Sequence, residues 1–393
     1  VSISKIGWSA DSRTITYLSK RGDDKFTSLY GIAIDGGESA KILEHEAAIS
    51  NYAWQPNGKK LAFIAKQKHD EERKKLADRG FNAEAYEEEL KNTLVWLVVP
   101  DGDDEAKAMK LEGSASEIEW DPTGTRLAVA LAPTPLIDDY YMYRRISIVG
   151  GDGNVETKID NPGKLGAIRW SPDGKRLAFI SGEDINDPAD ARLMIADAQT
   201  GKFERVLADY VPDVVDVHWK DDRTLSILGA NGCRSELLDL DIASQALTRK
   251  ITPEGPVFTS ISFSDSGEYA LIGETPSHPK EVFSSSAGAK GTLQKVTDNN
   301  PWLAEKRLAK QEVVRYEARD GVMIEGILLY PRDRREGESY PLILTVHGGP
   351  ESHVPNGWVT GYSYPGQVAA ARGFAVFYPN YRGSTGRGAA FAK

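Results

Sequence analysis

The stretch Ile168–Ile180, IRWSPDGKRLAFI, decides how the first three hundred residues fold. Trp170 closes one apolar run, and Ser171-Pro172-Asp173-Gly174 follows with turn chemistry, Pro presetting φ and Gly free to adopt positive φ. The second run then places Leu177 and Phe179 on one face, because side chains alternate along a strand. The stretch predicts a β-hairpin. Five further copies surround Trp8 (IGWSADSRTITYLS), Trp54 (YAWQPNGKKLAFIA), Trp120 (IEWDPTGTRLAVA), Trp219 (VHWKDDRTLSILG) and Phe263 (ISFSDSGEYALIG), the aromatics lying 46, 66, 50, 49 and 44 residues apart. A second pair of strand-like runs follows each hairpin, as in LYGIAIDGGESAKIL from Leu29 to Leu43 and LMIADAQTGKFERVL from Leu193 to Leu207. Four short strands per unit at this spacing predict β-propeller blades, which bury their faces only against neighbouring blades. The spacing argues against a row of sandwich domains, each of which needs ~100 residues. Six blades are legible over residues 1–298, with the six aromatics expected near the end of each first strand.

The 66-residue gap contains Lys66–Asn92, KQKHDEERKKLADRGFNAEAYEEELKN, which is charged, strong in helix formers and without strand alternation. It predicts a largely helical insertion. Two readings stand open for it: a solvated helix face, or a cover over an entrance whose Glu87-Glu88-Glu89 run receives a substrate amino group.

Near residue 299 the period changes. Asn299-Asn300-Pro301 ahead of WLAEKRLAK reads as a helix start, with Asn as N-cap and Pro at the first helical position. Gln311–Tyr316 and Val322–Tyr330 read as strands around Arg319-Asp320-Gly321. Leu342–Val346 inside PLILTVHGGP is continuously apolar, the pattern of a strand buried on both faces, and Phe374–Tyr378 reads likewise after a short helix ending in GQVAAARG. Residues 299–393 therefore predict part of an α/β domain.

Composition excludes several functions. The 48 Lys plus Arg against 58 Asp plus Glu give a net charge of -10, which repels a nucleic-acid backbone. Hydrophobic residues make up 40% of the chain, and no apolar run approaches the roughly 18 to 20 residues of a membrane helix. One cysteine, Cys233, forms no internal disulfide, and six scattered histidines lack metal-ligand spacing, so neither metal nor organic cofactor is expected. The chain begins at Val1, so export is not legible, and localisation stays open between a periplasmic or secreted and a cytoplasmic site.

A propeller followed by this strand order, with HGGP at His347–Pro350 and NYRGSTGRG at Asn380–Gly388, resembles the prolyl oligopeptidase family of serine peptidases, within it the acylaminoacyl and dipeptidyl peptidases. The resemblance covers the whole chain. It implies a propeller of seven or eight blades, hence at least one blade upstream of Val1 unless the ring is six-bladed. After the propeller it implies an α/β-hydrolase domain of strand order 1-2-4-3-5-6-7-8, represented here by its N-terminal part.

Glycines after a strand let backbone N–H groups turn outward toward a developing oxyanion. By resemblance the first oxyanion donor is the backbone of Gly349, with His347 and Gly348 shaping the loop. Its N–H is expected to lack a backbone partner and to face a cleft between the two domains. Tyr381 and Arg382 in the Gly-rich stretch either face the cleft or serve the loop structurally; the stretch lacks the Gly-Lys-Ser/Thr ending of a phosphate loop. In the propeller, Asp138–Arg145 packs aromatics and cations into one loop and strand start, with Tyr141 and Arg144 as substrate-carboxylate candidates or half-buried blade-edge residues. No Ser carries Gly at both minus two and plus two in a strand-to-helix setting, so the Ser, Asp and His of the family lie outside residues 1–393, and this chain alone is expected to be inactive. The reading is a serine exopeptidase or oligopeptidase acting on short peptides, against a non-catalytic TolB-like binding module or an esterase on the same fold. The remainder of the catalytic domain, as a second polypeptide or a continuation, is the expected partner, because Leu342–Val346 would otherwise be left with an open edge. A homo-oligomer is left open.

Overall fold

The computed structural model describes residues 2–393 apart from 57, 68–70, 84, 101, 103, 187–190, 265, 287–291 and 350. Pro350 of the HGGP motif and part of the insertion lie outside the described residues. Six four-stranded sheets follow one another along the chain, each a simple meander. They are β1 (Ile3–Trp8), β2 (Thr14–Ser19), β3 (Ser28–Ala33) and β4 (Ala40–Leu43); then β5 (Ile49–Trp54), β6 (Leu61–Lys66), β7 (Thr93–Val98) and β8 (Lys107–Ala108). The third comprises β9 (Ser114–Trp120), β10 (Arg126–Ala132), β11 (Arg145–Gly150) and β12 (Val155–Ile159), and the fourth β13 (Leu165–Trp170), β14 (Arg176–Ser181), β15 (Arg192–Asp197) and β16 (Phe203–Arg205). The fifth holds β17 (Asp213–Trp219), β18 (Thr224–Asn231), β19 (Arg234–Asp241) and β20 (Ala246–Ile251), the sixth β21 (Val257–Phe263), β22 (Tyr269–Thr275), β23 (His278–Ser284) and β24 (Gln294–Lys295).

Every one of the six aromatics is the last residue of the first strand of its sheet. Each packs where the chain reverses, and the pairs Trp8↔Ile15, Trp54↔Leu61, Trp120↔Leu127, Trp219↔Leu225 and Phe263↔Tyr269 open the second strand. The indoles also reach back one sheet: Trp120 Nε1 donates to Ala53 O at 3.1 Å, and Trp170 Nε1 to Glu119 O at 3.1 Å. In each case the acceptor is the residue just before the preceding aromatic. Trp54 Nε1 donates instead to Thr16 Oγ1 at 3.3 Å, while Phe263, which has no N–H, is faced by His218 in a stack at 4.4 Å. Apolar clusters lie between consecutive sheets, one joining β6, β7 and β9–β11 and another joining β18 to β21–β23. That is how units too small to bury a face alone acquire a core.

Among its described residues the insertion is helical only over α1 (Glu71–Asp78). The expectation of a largely helical Lys66–Asn92 fails because Gly80, at φ +90°, stops the helix. Phe81 N–H bonds Leu76 O at 3.0 Å and Gly80 N–H bonds Ala77 O at 2.9 Å, the paired closure of a glycine C-cap. The Asp138–Arg145 cluster is likewise not a loop: α2 (Ile137–Met142) carries it, and β11 starts at Arg145.

After a short 3-10 helix over Pro301–Glu305, to which Asn300 gives no side-chain cap bond, the seventh sheet follows. Its strands β25 (Gln311–Glu317), β26 (Met323–Leu329), β27 (Leu342–Leu344) and β28 (Ala375–Asn380) lie in the order β25-β26-β28-β27. In sequence terms that is 1-2-4-3. β25, β26 and β28 pair antiparallel, and β27 pairs parallel with β28. Helix α3 (Gly366–Ala371) connects β27 to β28, and α4 (Ala389–Ala392) follows the Gly-rich stretch. Leu342, Leu344 and Val346 are 58%, 58% and 59% exposed among the described residues, in line with the open edge expected of this strand within residues 1–393. Among the described residues β27 has β28 as its one neighbour.

The chain divides into two compact units, Val1–Ala178 with Ile195–Glu204, and Phe179–Met194 with Arg205–Lys393. The division passes through the fourth sheet. The second unit therefore contains the fifth, sixth and seventh sheets and everything described next, apart from Tyr141 and Arg144.

Candidate functional site

β27 ends at Leu344, and the chain runs through Thr345 and Val346 into His347-Gly348-Gly349. The His347 side chain is turned inward and buried at 5% exposure, whereas both glycines are exposed. Gly349 sits at φ +132°, and a Cβ there would meet Glu351 N at 3.1 Å and Ser352 Cβ at 3.2 Å. Only glycine fits that turn without strain. Among the described residues no acceptor takes the Gly349 N–H. Gly349 thus lies exposed on a loop whose histidine is anchored inside.

The anchors come from Asn380–Gly388. Tyr381 Oη donates to His347 O at 2.6 Å and its ring stacks on the imidazole at 4.5 Å, with an interplanar angle of 18°. Ser384, fully buried, places Oγ 2.9 Å from His347 Nε2, while Nδ1 lies 3.2 Å from Gly348 O. Asn380, also fully buried at the end of β28, clamps the segment after the glycines by accepting from Val354 N at 2.7 Å and donating to Val354 O at 3.1 Å. His353 joins through Nδ1 to Thr385 Oγ1 at 2.8 Å, and Thr385 N donates to Ser352 O at 3.0 Å.

The fifth sheet holds the other side of this stretch. Gly386 N donates to Asp213 Oδ2 at 3.0 Å, and Gly232 N, in the β18–β19 turn, donates to Gly386 O at 2.9 Å. Gly386 is at φ +83°, and a Cβ there would lie 3.0 Å from Gly232 N, so a side chain is strained at this position. Next to it, Cys233 N donates to Glu325 Oε1 at 2.8 Å, Cys233 O accepts from Asn356 N at 2.7 Å, and Arg315 Nε donates to Glu325 Oε2 at 3.1 Å. Burial, with Glu325 beside it, pushes the Cys233 thiol up to about 12, so it is protonated and inert as a nucleophile at neutral pH. Burial, with His347 nearby, holds the His353 imidazole below its ordinary value.

The structure thus brings His347, Gly348, Gly349 and Tyr381 together. Arg382 points away from them, exposed and ion-paired with Asp320. Tyr141 and Arg144 belong to the other compact unit. Tyr141 is 53% exposed and meets Tyr140 edge-on, whereas Arg144 is buried, donating to Leu165 O at 2.5 Å and to Ser116 Oγ and Glu117 Oε1, beneath the Tyr140 ring at 4.5 Å. Ser384, Asn380, His353, Asp213, Cys233 and Glu325 are the participants that sequence reasoning missed. Among the described residues no cluster of three or more His, Cys, Asp or Glu is arranged to hold a metal, and no helix is long and apolar enough to cross a membrane.

No family model matches the chain. It is 25% identical over 451 residues to the uncharacterized peptidase YuxL of Bacillus subtilis, covering 98% of this chain and 62% of that protein. It is 26% identical over 294 residues to a probable dipeptidyl-peptidase 5 of Aspergillus flavus, covering 70% of this chain and 40% of the relative. The chain thus spans less than two thirds of the length of these relatives. The acylaminoacyl peptidase of Pyrococcus horikoshii superposes with a TM-score of 0.74 at 19% identity, over 99% of this chain and 59% of that one. That likeness shows the fold: the repeat sheets are blades of the propeller type.

Proposed function

We propose that this chain, whose relatives by sequence and by fold are named as peptidases, dipeptidyl-peptidases and an acylaminoacyl peptidase, is the propeller and the N-terminal part of the α/β-hydrolase domain of a serine peptidase of the prolyl oligopeptidase family acting on short peptides. The observation that supports this is Gly349, exposed and with no acceptor for its N–H among the described residues, on a loop at the carboxyl end of a sheet strand. In the proposed reaction a serine attacks the scissile carbonyl, a histidine takes and returns its proton, an aspartate orients that histidine, and the Gly349 N–H donates to the developing oxyanion. Those three residues come from polypeptide outside residues 1–393, and the propeller gates access so that folded proteins are excluded. The same polypeptide covers the free edge of β27, whose exposed apolar side chains otherwise form a template for mispairing.

The test uses the full-length protein with dipeptidyl and acylaminoacyl anilides in parallel with short-chain esters. Anilide turnover that falls by on the order of 10²- to 10³-fold in the folded Gly349→Pro variant supports the reading. Ester turnover alone makes the protein an esterase, and turnover of neither substrate leaves a binding module. Residues 1–393 expressed alone are expected to self-associate on size-exclusion chromatography; a soluble monomer counts against the edge-covering partner.

A further inference from the structure

We infer that Ser384 is a positioning residue of the oxyanion loop, acting through the His347 imidazole and itself held by the fifth blade; the inference rests on the function proposed above. Gly348 O accepts and never donates, so the proton of the neutral ring sits on Nδ1, 3.2 Å away. That leaves Nε2 as an acceptor, and Ser384 Oγ–H, at 2.9 Å and fully buried, donates to it. The bond lies within a closed circuit. Tyr381 Oη fixes the His347 carbonyl, Ser384 fixes the ring, and Ser384 N donates to Tyr381 O at 3.0 Å, so both contacts originate from one short turn. That turn is not free to drift, because Gly386, two residues on, donates to Asp213 and accepts from Gly232.

The consequence is specific to chemistry. Gly349 is exposed and among the described residues no acceptor takes its N–H, so the His347 anchor on one side and the clamped segment from Ser352 on the other set its direction. Losing the Ser384 hydroxyl leaves Nε2 buried without a donor and frees the ring to rotate, which displaces the donor from where charge develops while leaving surfaces that contact only ground-state substrate in place.

The experiment uses the full-length enzyme as Ser384→Ala and Ser384→Thr. Ser384→Ala is expected to lower kcat about tenfold with KM within about twofold of wild type, and Ser384→Thr, which keeps the hydroxyl, to restore kcat. Hydrogen exchange gives a second readout that needs no turnover: residues 345–352 are expected to exchange faster in Ser384→Ala, with β25 and β26 unchanged. Wild-type kcat in a folded Ser384→Ala, loss that Ser384→Thr does not recover, or a KM effect without a kcat effect overturns the inference. If the wild-type protein turns over no substrate, the proposed function fails, and unchanged exchange in residues 345–352 then overturns the anchoring as well.

Discussion

In the second sheet, Leu61, Ala62, Phe63, Ile64 and Ala65 of β6 are all completely buried, while in the seventh sheet the equally apolar β27 exposes Leu342 and Leu344. Composition does not separate these strands. β6 has β5 and β7 on its two edges and clusters of neighbouring sheets on its faces, whereas β27 has β28 alone. Burial is a property of the company a strand keeps: the repeat sheets complete one another, while β27 has β28 as its one neighbour among the described residues.

The contrast can be broken most severely at Phe63, which stacks on Trp96 at 6.2 Å with His45 edge-on at 5.2 Å. Phe63→Ala is expected to cost about 3 to 5 kcal/mol in urea denaturation, the range for emptying a large aromatic site. A cost under about 1 kcal/mol means the blade core collapses around the gap and the packing account is wrong.

Asp121 ranks next. Burial alone would raise its carboxyl, but hydrogen bonds from Arg126, Thr123 and Thr125 hold it below the ordinary carboxylate value. Asp121→Ala orphans the amides of Thr125 and Arg126 and is expected to cost about 2 kcal/mol, read by the same unfolding titration.

A smaller, pH-dependent effect belongs to the seventh-sheet region. His353 has a folded pKa below the unfolded value of 6.5, so the unfolded chain binds the extra proton first as pH falls. Stability is therefore complete above about 6.5 and declines on acidification through that value. The melting temperature is expected to fall between pH 7 and pH 5, and His353→Gln to flatten that slope; an unaltered slope places the acid sensitivity elsewhere.

The smallest effect tests the exposed edge. Leu344→Lys is expected to change unfolding free energy by less than about 0.5 kcal/mol, yet to reduce self-association of residues 1–393 in light scattering. A loss of several kcal/mol means that the side chain packs against something after all.

The repeat was legible because it is local: turn, aromatic and alternating strand lie within thirteen or fourteen residues, and each aromatic fell at its expected strand end. The glycines after β27, in the run His347–Pro350, were legible for the same reason. Ser384, Asp213 and Glu325 were not, because each acts on a residue 37, 173 or 92 positions away and carries no local pattern. The exposure of Leu342 and Leu344 among the described residues has no local signal, because an apolar run reports what a strand is able to bury against and not which neighbours it has. In the insertion, helix propensity was read over 27 residues although Gly80 stood in the middle with a stop signal.

The indole contacts between blades have a direction. Trp120 and Trp170 each donate to a carbonyl that lies earlier in the chain, beside the previous aromatic, and the His218–Phe263 stack runs the same way. A ribosome releases the N-terminus first, so every acceptor is made before its donor. At these aromatic contacts the emerging sheet meets a partner already made, so vectorial synthesis can set them in reading order.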